Sequence, residues 1–140
     1  NWVVLSAMFK LKKGDKLAIQ AIAKDHIRYR KEKHPLEYPN AGSMFKNCDL
    51  KKFSPTLQKK LEPVVKVDPF PGVPTAYLNH QAGLKGMRQN NIQVSSKHPN
   101  YMVNLGGGKA RDVISLVQKV KKIIKKKFKI NLEQEVEYVE

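Results

Sequence analysis

Residues 101–128 read YMVNLGGGKARDVISLVQKVKKIIKKKF, a short apolar run followed by three glycines and a long amphipathic stretch. The run from Tyr101 to Leu105 is typical of a strand, and the glycines at 106–108 break it. From Lys109 to about Phe128, apolar residues recur at steps of three and four, which is the period of one helix face. We therefore predict a long C-terminal amphipathic helix packed on a sheet. Its expected buried residues are Val113, Leu116, Val117, Val120, Ile124 and Phe128.

Shorter strand and helix patterns occupy the rest of the chain, without a strict βαβ order. The first predicted helix is expected to be capped by Asp15, and its apolar stripe includes His26 as a core or boundary residue. The mixture predicts a single α+β domain, with a mixed or antiparallel sheet and helices packed on it. Further strands are predicted at 2–11, 92–94 and 131–139, helices at 16–31, 55–61 and 74–81, and loops at 34–43 and 48–73.

The size and composition of the chain fit one compact domain. It has 140 residues, of which 41% are hydrophobic, and this is enough for a core and too many for a disordered tail. Cys48 is the single cysteine, so no intramolecular disulfide is possible, and a reducing compartment is expected. The first residues carry neither a signal peptide nor an apolar run long enough to span a bilayer. We expect a cytoplasmic protein, and a chain cut from something longer because it begins with Asn1.

The chain is strongly basic, with a formal net charge of +15. Such a charge is typical either of a solvated lysine-rich surface or of a protein with a polyanionic partner, such as nucleic acid, anionic lipid or a phosphorylated ligand. The lysines of the long helix favour the solvated surface, because no aromatic residues for base stacking lie among them. These lysines are Lys119, Lys121, Lys122, Lys125, Lys126, Lys127 and Lys129.

The hexapeptide GSMFKN at residues 42–47, here called the Ser43 segment, has the residue types of a ligand site. Ser43 is a small hydroxyl beside a glycine, and both Lys46 and Asn47 can hold an anion. We expect the whole segment to lie in a loop, where functional groups concentrate. Residues 133–137, here called the acidic segment, offer carboxylates that would complete a site.

Glu133, Glu135 and Glu137 share one face if the acidic segment is a strand, because strand side chains alternate. Their mutual repulsion should raise at least one carboxyl pKa unless cations intervene. The alternative is a solvated edge that faces the lysines. Sequence alone leaves both interpretations open.

Other motifs are less specific. The triple glycine fits neither a Walker A loop nor a Gly-x-Gly-x-x-Gly motif, so a strand-to-helix turn is favoured over a phosphate cradle. The four histidines show no metal spacing with one another or with Cys48, and no metal site is expected. His98 lies in a polar loop, where either a ligand contact or an ordinary surface role is possible. Nothing in the sequence identifies a base for Ser43, so no catalytic triad is predicted.

Several motifs, in this order and spacing, make the chain resemble one known family. From Val4 to the C-terminus, the chain resembles the C-terminal, substrate-binding domain of the UDP-N-acetylenolpyruvoylglucosamine reductases, also called UDP-N-acetylmuramate dehydrogenases. The matching motifs are YPNAGSMFKN at 38–47, QAGLKG at 81–86, QVSSKHPN at 93–100, Asp112-Val113, and LEQEV at 132–136.

The resemblance implies a flavoenzyme that reduces the enolpyruvyl ether of UDP-N-acetylglucosamine to UDP-N-acetylmuramate for peptidoglycan. In this family hydride passes from NADPH to FAD and then to C3 of the substrate, while a proton reaches C2. By resemblance, Ser43 is the proton donor, and Glu135 stabilises or protonates the enolic intermediate. The resemblance also assigns substrate contacts to Asn47, Lys85, His98 and Lys46, and a cofactor contact to Gly42.

The family's two FAD-binding domains have no counterpart in this chain. The resemblance therefore implies that the isolated chain is inactive, and that its partners are the UDP-N-acetylglucosamine enolpyruvate substrate and the enzyme's own FAD-binding domains. No partnership with nucleic acid or membrane is expected. Two alternatives are a basic nucleic-acid-binding module, which would bind DNA or RNA in a salt-sensitive way, and a stand-alone UDP-sugar-binding domain without chemistry.

Overall fold

The computed structural model describes residues 3–67 and 71–139. The chain separates into two compact units, one up to Glu32 and one from Lys33 onward. Two single-turn 3-10 helices, Leu50–Lys52 and Glu62–Val64, flank the α-helix Pro55–Leu61. The helices and strands are α1 (Lys16–Lys33), β1 (Asn40–Ser43), α2 (Pro55–Leu61), α3 (Thr75–Gln81), β2 (Arg88–Gln89), β3 (Ile92–Val94), β4 (Tyr101–Asn104) and α4 (Ala110–Phe128).

The second unit contains a four-stranded antiparallel sheet with strand order β1-β4-β3-β2. In the central pair, Val94 lies opposite Met102, and Gln93 lies opposite Val103. The α+β prediction is confirmed, and so are the strands of β3 and β4. The short strands β1 and β2 were missed, because four and two residues are too few to show an alternating pattern.

The core of this unit lies between the sheet and α4. Ile92, Val94 and Met102 belong to it, and they project from the same face of β3 and β4. Helix α4 spans 19 residues and ends within one residue of the predicted range. Its prediction succeeded because a helical stripe is a local pattern. The buried apolar residues of α4 are Leu116, Val117, Val120, Ile124 and Phe128.

The triple glycine forms the turn between β4 and α4, as favoured from the sequence. Gly106 and Gly107 have φ angles of +115° and +69°, which L side chains rarely adopt. The Asn104 side chain accepts hydrogen bonds from the backbone N–H groups of Gly106 and Gly108, at 2.9 and 3.0 Å. A Cβ atom on Gly108 would lie 2.5 Å from Cδ1 of Ile92, so a larger residue there would force the Ile92 side chain to shift.

The first unit contains α1, and Asp15 caps it as predicted. The Asp15 carboxylate accepts a hydrogen bond of 2.8 Å from the backbone N–H of Ala18. The apolar stripe of α1 is exposed, however, with Ile22 57% exposed, and no residue of the helix is buried. His26 is exposed as well, so its prediction as a core or boundary residue is wrong.

Two predicted strands are wrong. Residues 3–11 form no strand and are exposed, because apolar residues occupy both alternating positions and no described segment pairs with them; position 2 lies outside the described residues. Residues 131–139 form only an isolated antiparallel bridge, between Gln134 and Phe45. The burial of this last stretch still alternates, with Leu132 buried and Glu133 exposed.

None of the helices in the described ranges 3–67 and 71–139 has the apolar length needed to cross a bilayer.

Candidate functional site

Ser43 is the last residue of β1 and lies directly opposite Tyr101 of β4. Residues paired in this way project from the same face of a sheet, so Ser43 and Tyr101 share the face opposite the core. The register between β1 and β4 shifts just before Ser43, and Gly42 has a φ angle of +80°. The expectation of a loop is therefore wrong for Gly42 and Ser43, which end a strand, and right for the residues after them.

The backbone after Ser43 is fixed by residue 100. The Met44 N–H donates to the carbonyl oxygen of Asn100 at 2.7 Å. The Phe45 N–H donates to Oδ1 of the same asparagine at 3.2 Å, and its Nδ2 donates to the Phe45 carbonyl at 2.8 Å. Both Phe45 and Asn100 are buried, so these bonds are shielded from water.

The acidic segment pairs with the Ser43 segment through two backbone hydrogen bonds. The Lys46 N–H donates to the Glu133 carbonyl at 3.0 Å, and the Glu135 N–H donates to the Met44 carbonyl at 2.9 Å. These bonds place the backbone of Glu135 beside the residue that follows Ser43. The fold thus brings together two parts of the chain that the sequence separates by 87 residues.

An ion pair between Lys46 and Glu133 reinforces this pairing. The hydrogen bond from Lys46 and its positive charge lower the pKa of the Glu133 carboxyl. The same hydrogen bond and the charges of the acidic segment raise the pKa of the Lys46 ammonium. Lys46 is therefore a cation that intervenes among the three glutamates, all of which are exposed.

Lysines of α4 hold the stretch that leads into the acidic segment. Lys125 donates to the side-chain oxygen of Asn131 at 2.8 Å, and Lys121 donates to that of Gln134 at 2.7 Å. Both acceptors are neutral amides. Two members of the lysine run therefore have a structural role that charge counting did not indicate.

Asn47 and Lys85 are both exposed but differ in their surroundings. The side-chain oxygen of Asn47 lies 3.4 Å from the N–H of Thr75, the first residue of α3, which donates to it. The Thr75 hydroxyl also donates to the Lys46 carbonyl at 2.6 Å, so α3 supports the end of the Ser43 segment. Lys85 lies in the turn between α3 and β2, and within the described residues no hydrogen bond or ion pair joins its side chain to the Ser43 segment.

His98 belongs to an aromatic cluster on the Ser43 face of the sheet. Its ring stacks on His34 with centroids 5.2 Å apart, and the edge of Tyr101 packs against it at 4.7 Å. The Tyr101 hydroxyl lies 2.9 Å from Nδ1 of His34. Burial lowers the pKa of His98, and the neighbouring His34 and Lys66 lower it further.

The cluster connects His98 with Ser43, because Tyr101 contacts His98 and pairs with Ser43. Sequence reasoning missed His34 and Tyr101 as members of the site. The sequence pattern places Tyr101 in a strand and His34 at the start of the loop predicted at 34–43, and neither position by itself indicates a ligand site. The signal that was available was the alternation of strand β4, which places Tyr101 on the opposite face from Met102.

A cleft of about 430 Å³ lies between the sheet and the start of α4. Met44 and Val136, the neighbours of Ser43 and Glu135, form part of its wall. The cleft is mostly apolar. In the described part of the chain, no group of three histidine, cysteine or acidic side chains is placed to hold a metal ion.

Comparisons with known proteins agree on one family. Residues 34–139 match the family model described as the C-terminal domain of UDP-N-acetylenolpyruvoylglucosamine reductase. Proteins named UDP-N-acetylenolpyruvoylglucosamine reductase are similar to this chain, among them one from Clostridium novyi at 38% identity over 99% of the chain. Another, from Symbiobacterium thermophilum, is 36% identical over 96% of the chain.

A solved structure is also similar. The crystal structure of the reductase from Thermus caldophilus has a TM-score of 0.59 and 29% identity, and the match covers 91% of this chain. The chain spans 38% and 36% of the two relatives' lengths and 37% of the crystallised chain. On this evidence, the chain belongs to the UDP-N-acetylenolpyruvoylglucosamine reductase family, with residues 34–139 corresponding to the C-terminal domain of that family.

Proposed function

We propose that this chain is the substrate-binding and proton-donating part of a flavoenzyme that reduces UDP-N-acetylglucosamine enolpyruvate to UDP-N-acetylmuramate. The names of its relatives support the substrate and the reaction. One observation carries the assignment to particular residues. The hydrogen bond from the Glu135 N–H to the Met44 carbonyl brings the backbone of a carboxylate-bearing residue beside Met44, the residue that follows Ser43, and this proximity supports a shared site for proton transfer.

Ser43 is the proposed proton donor to C2 of the substrate. A serine hydroxyl is a weak acid, but a carbanion or enolate formed after hydride addition to C3 is a strong base, so a well-placed hydroxyl can protonate it. Ser43 is half-buried at the end of a strand, which fixes its backbone. The proposed role of Glu135 is to stabilise or protonate the enolic form.

The cofactor is proposed to be FAD, with NADPH as the reductant, and FAD would supply the hydride when bound. The described residues leave room for the flavin ring beside Gly42. A Cβ atom built on Gly42 would have no other atom within 4 Å. Gly42 is therefore the proposed cofactor contact. We propose that separate FAD-binding domains of the same enzyme hold most of the cofactor, and that the enzyme works in the cytoplasm.

Lys46, Asn47, Lys85 and His98 are the proposed substrate contacts. The substrate carries a diphosphate and a carboxylate, and the net charge of +15 would steer such an anion toward the protein. His98 would contribute a hydrogen bond from a neutral ring, because its pKa is lowered from 6.5. Lys46 would contribute charge that Glu133 partly balances.

Titration of the nitrogen-15-labelled chain with UDP-N-acetylglucosamine tests the proposed substrate site. We expect amide signals near Ser43, Lys85 and His98 to move, and signals in the second half of α4 to remain in place. Unmoved signals at all three positions would contradict substrate binding by this chain. A salt-sensitive shift of α4 signals on addition of DNA would favour a nucleic-acid-binding protein instead.

A further inference from the structure

Asn100 lies between the two halves of the candidate site. On one side it is bonded to Met44 and Phe45, the two residues after Ser43. On the other side it immediately precedes Tyr101 and lies two residues after His98. With 4% of its surface exposed, it is one of the few buried polar residues of the described chain.

The side chain of Asn100 forms two hydrogen bonds with the Phe45 backbone, as a neighbouring β-strand would. Its Oδ1 accepts from the Phe45 N–H, and its Nδ2 donates to the Phe45 carbonyl. A neutral amide is suited to this task because it carries an acceptor and a donor side by side. Without it, both backbone polar groups of the buried residue Phe45 would be left unsatisfied.

Fixing the Phe45 N–H also fixes the direction of the Met44 carbonyl, because the two groups belong to one trans peptide unit and point in opposite directions. The N–H is held by Oδ1 of Asn100, and the carbonyl accepts from the Glu135 N–H. Ser43 precedes this fixed unit, and Glu135 is docked on it. The arrangement of both residues therefore depends on contacts made by one asparagine.

We propose that Asn100 is a positioning residue that holds Ser43, Glu135 and the His98 turn in one arrangement. The proposal rests on the proposed function, because it assigns a purpose to an arrangement of proposed site residues. It concerns how the site is held and does not require Asn100 to touch the substrate.

Hydrogen exchange in the Asn100→Asp variant tests the proposal without any ligand. An ionised carboxylate keeps the acceptor for the Phe45 N–H but has no donor for the Phe45 carbonyl. We expect the Phe45 and Glu135 amides to exchange roughly tenfold faster or more, relative to wild type, while amides of α4 such as Val120 keep their rates. Equal acceleration throughout the protein would indicate a merely structural role and would overturn the proposal.

Acidification of the same variant should restore the wild-type pattern. A protonated carboxyl has an oxygen acceptor and an O–H donor, and burial makes protonation easier. We expect the Glu135 exchange rate, measured relative to wild type at each pH, to return toward unity as the pH falls. Failure of this rescue in a folded variant would contradict the role assigned to the donor and acceptor pair.

Asn104→Asp is the matched control, because Asn104 lies on the same strand and also bonds backbone groups through both side-chain atoms. It should leave Glu135 exchange unchanged. If Asn100→Asp fails to fold, Asn100→Ser, which leaves room for water, should show the same local acceleration at Phe45 and Glu135.

Catalysis provides the final measurement, in a polypeptide that joins this chain to its flavin-binding domains. Asn100→Ser should lower kcat for product formation with little change in KM, and an unchanged kcat would overturn the positioning role. A wild-type polypeptide that forms no product would instead contradict the proposed function, while the exchange result would still stand.

Discussion

The backbone N–H of Glu135 donates a 2.9 Å hydrogen bond to the carbonyl oxygen of Met44, the residue that follows Ser43. A second bond, from Lys46 to Glu133, lies two residues further along each strand of the pairing. These two bonds set the register, in which Gln134 lies opposite Phe45 and Glu135 lies opposite Met44. A shift of one residue would place Gln134, and not Glu135, opposite Met44.

Replacing Ser43 with alanine should block product formation and leave the fold intact. The change removes only a hydroxyl from a half-buried strand end. In a polypeptide that includes the flavin-binding domains, we expect flavin reduction by NADPH to proceed normally. The rate of product formation should fall by about 10²- to 10⁴-fold, because that is the usual contribution of a positioned proton donor. Stopped-flow flavin absorbance and product assays measure the two steps separately.

Ser115→Ala, on α4, is the control for that experiment, since it removes a similar hydroxyl outside the candidate site. A normal product rate in Ser43→Ala would remove Ser43 from its proposed role. A loss of flavin reduction in the same variant would indicate a general disruption of the site.

Lys46→Met should return the pKa of the Glu133 carboxyl toward its ordinary value of 4.5. The folded-state pKa is depressed by Lys46, so the pair stabilises the protein above pH 4.5 and this stabilisation is lost as the pH falls through the lowered value. The pKa of Lys46 is raised, so the ion pair is also lost at high pH. Its stabilisation disappears as the pH rises through a value above 10.5. Carboxyl carbon-13 shifts against pH provide the measurement.

Lys97→Met is the comparison for that titration, because Lys97 pairs with a different carboxylate, Glu37, at 3.0 Å. It should leave the Glu133 titration unchanged. A Glu133 carboxyl that titrates identically with and without Lys46 would show that the ion pair is absent in solution.

His98→Phe should make the protein less sensitive to mild acid. Burial lowers the pKa of His98 below 6.5, so the folded state favours the neutral ring. The resulting stability is present above pH 6.5 and is lost as the pH falls through the lowered folded-state value. Urea unfolding measures the free energy of unfolding at about pH 7.5 and about pH 5. This free energy should decrease less between the two pH values in His98→Phe than in wild type.

His26→Phe is the control, because His26 lies on the exposed surface of α1. Its free energy of unfolding should fall with acidification as much as that of wild type. In addition, His34→Phe should raise the pKa of His98, because the neighbouring imidazole no longer gains a charge beside it. If the free energy of unfolding of His98→Phe fell with acidification as much as that of wild type, groups other than His98 would be responsible for the acid sensitivity.

Gly108→Ala should destabilise the protein by about 1–3 kcal/mol through overpacking. The new Cβ atom would lie 2.5 Å from Cδ1 of Ile92 and 2.9 Å from Oδ1 of Asn104. Because the closest contact is one methyl group, adding Ile92→Val should recover part of the loss. Thermal or urea unfolding of the single and double variants measures this coupling. If the two changes in the free energy of unfolding simply add, the clash is not with the Ile92 methyl group.

The successful structural predictions were those that depend on local pattern. Helices α4 and α1 were predicted from their apolar spacing, α1 with Asp15 as its cap, because these signals lie within or next to each helix. The same holds for α3, which Pro74 is expected to open and Gly83 to stop. The strand predicted at 131–139 failed for the opposite reason. A strand needs a partner, and the described chain provides only one bridge there, through Phe45.

Residue types indicated the Ser43 segment and the acidic segment, and family resemblance assigned the roles, but the contacts within the candidate site were not predictable from spacing. Nothing near residue 43 indicates that Lys46 will meet Glu133, or that Tyr101 will connect Ser43 with His98. The role of Asn100 is equally non-local, since its partners are 55 residues away. Sequence patterns identified candidate residues, and tertiary contacts determine which of them meet.

The long separation between Lys46 and Glu133 has a consequence for how the protein is made. During synthesis the Ser43 segment leaves the ribosome first, and 87 further residues must follow before Glu133 is available to it. Until then, the Met44 carbonyl and the Lys46 N–H have no partner from the acidic segment. Closing so long a loop is slow relative to forming α4. The pairing of Met44 with Glu135 should therefore be among the last features to mature in a nascent chain.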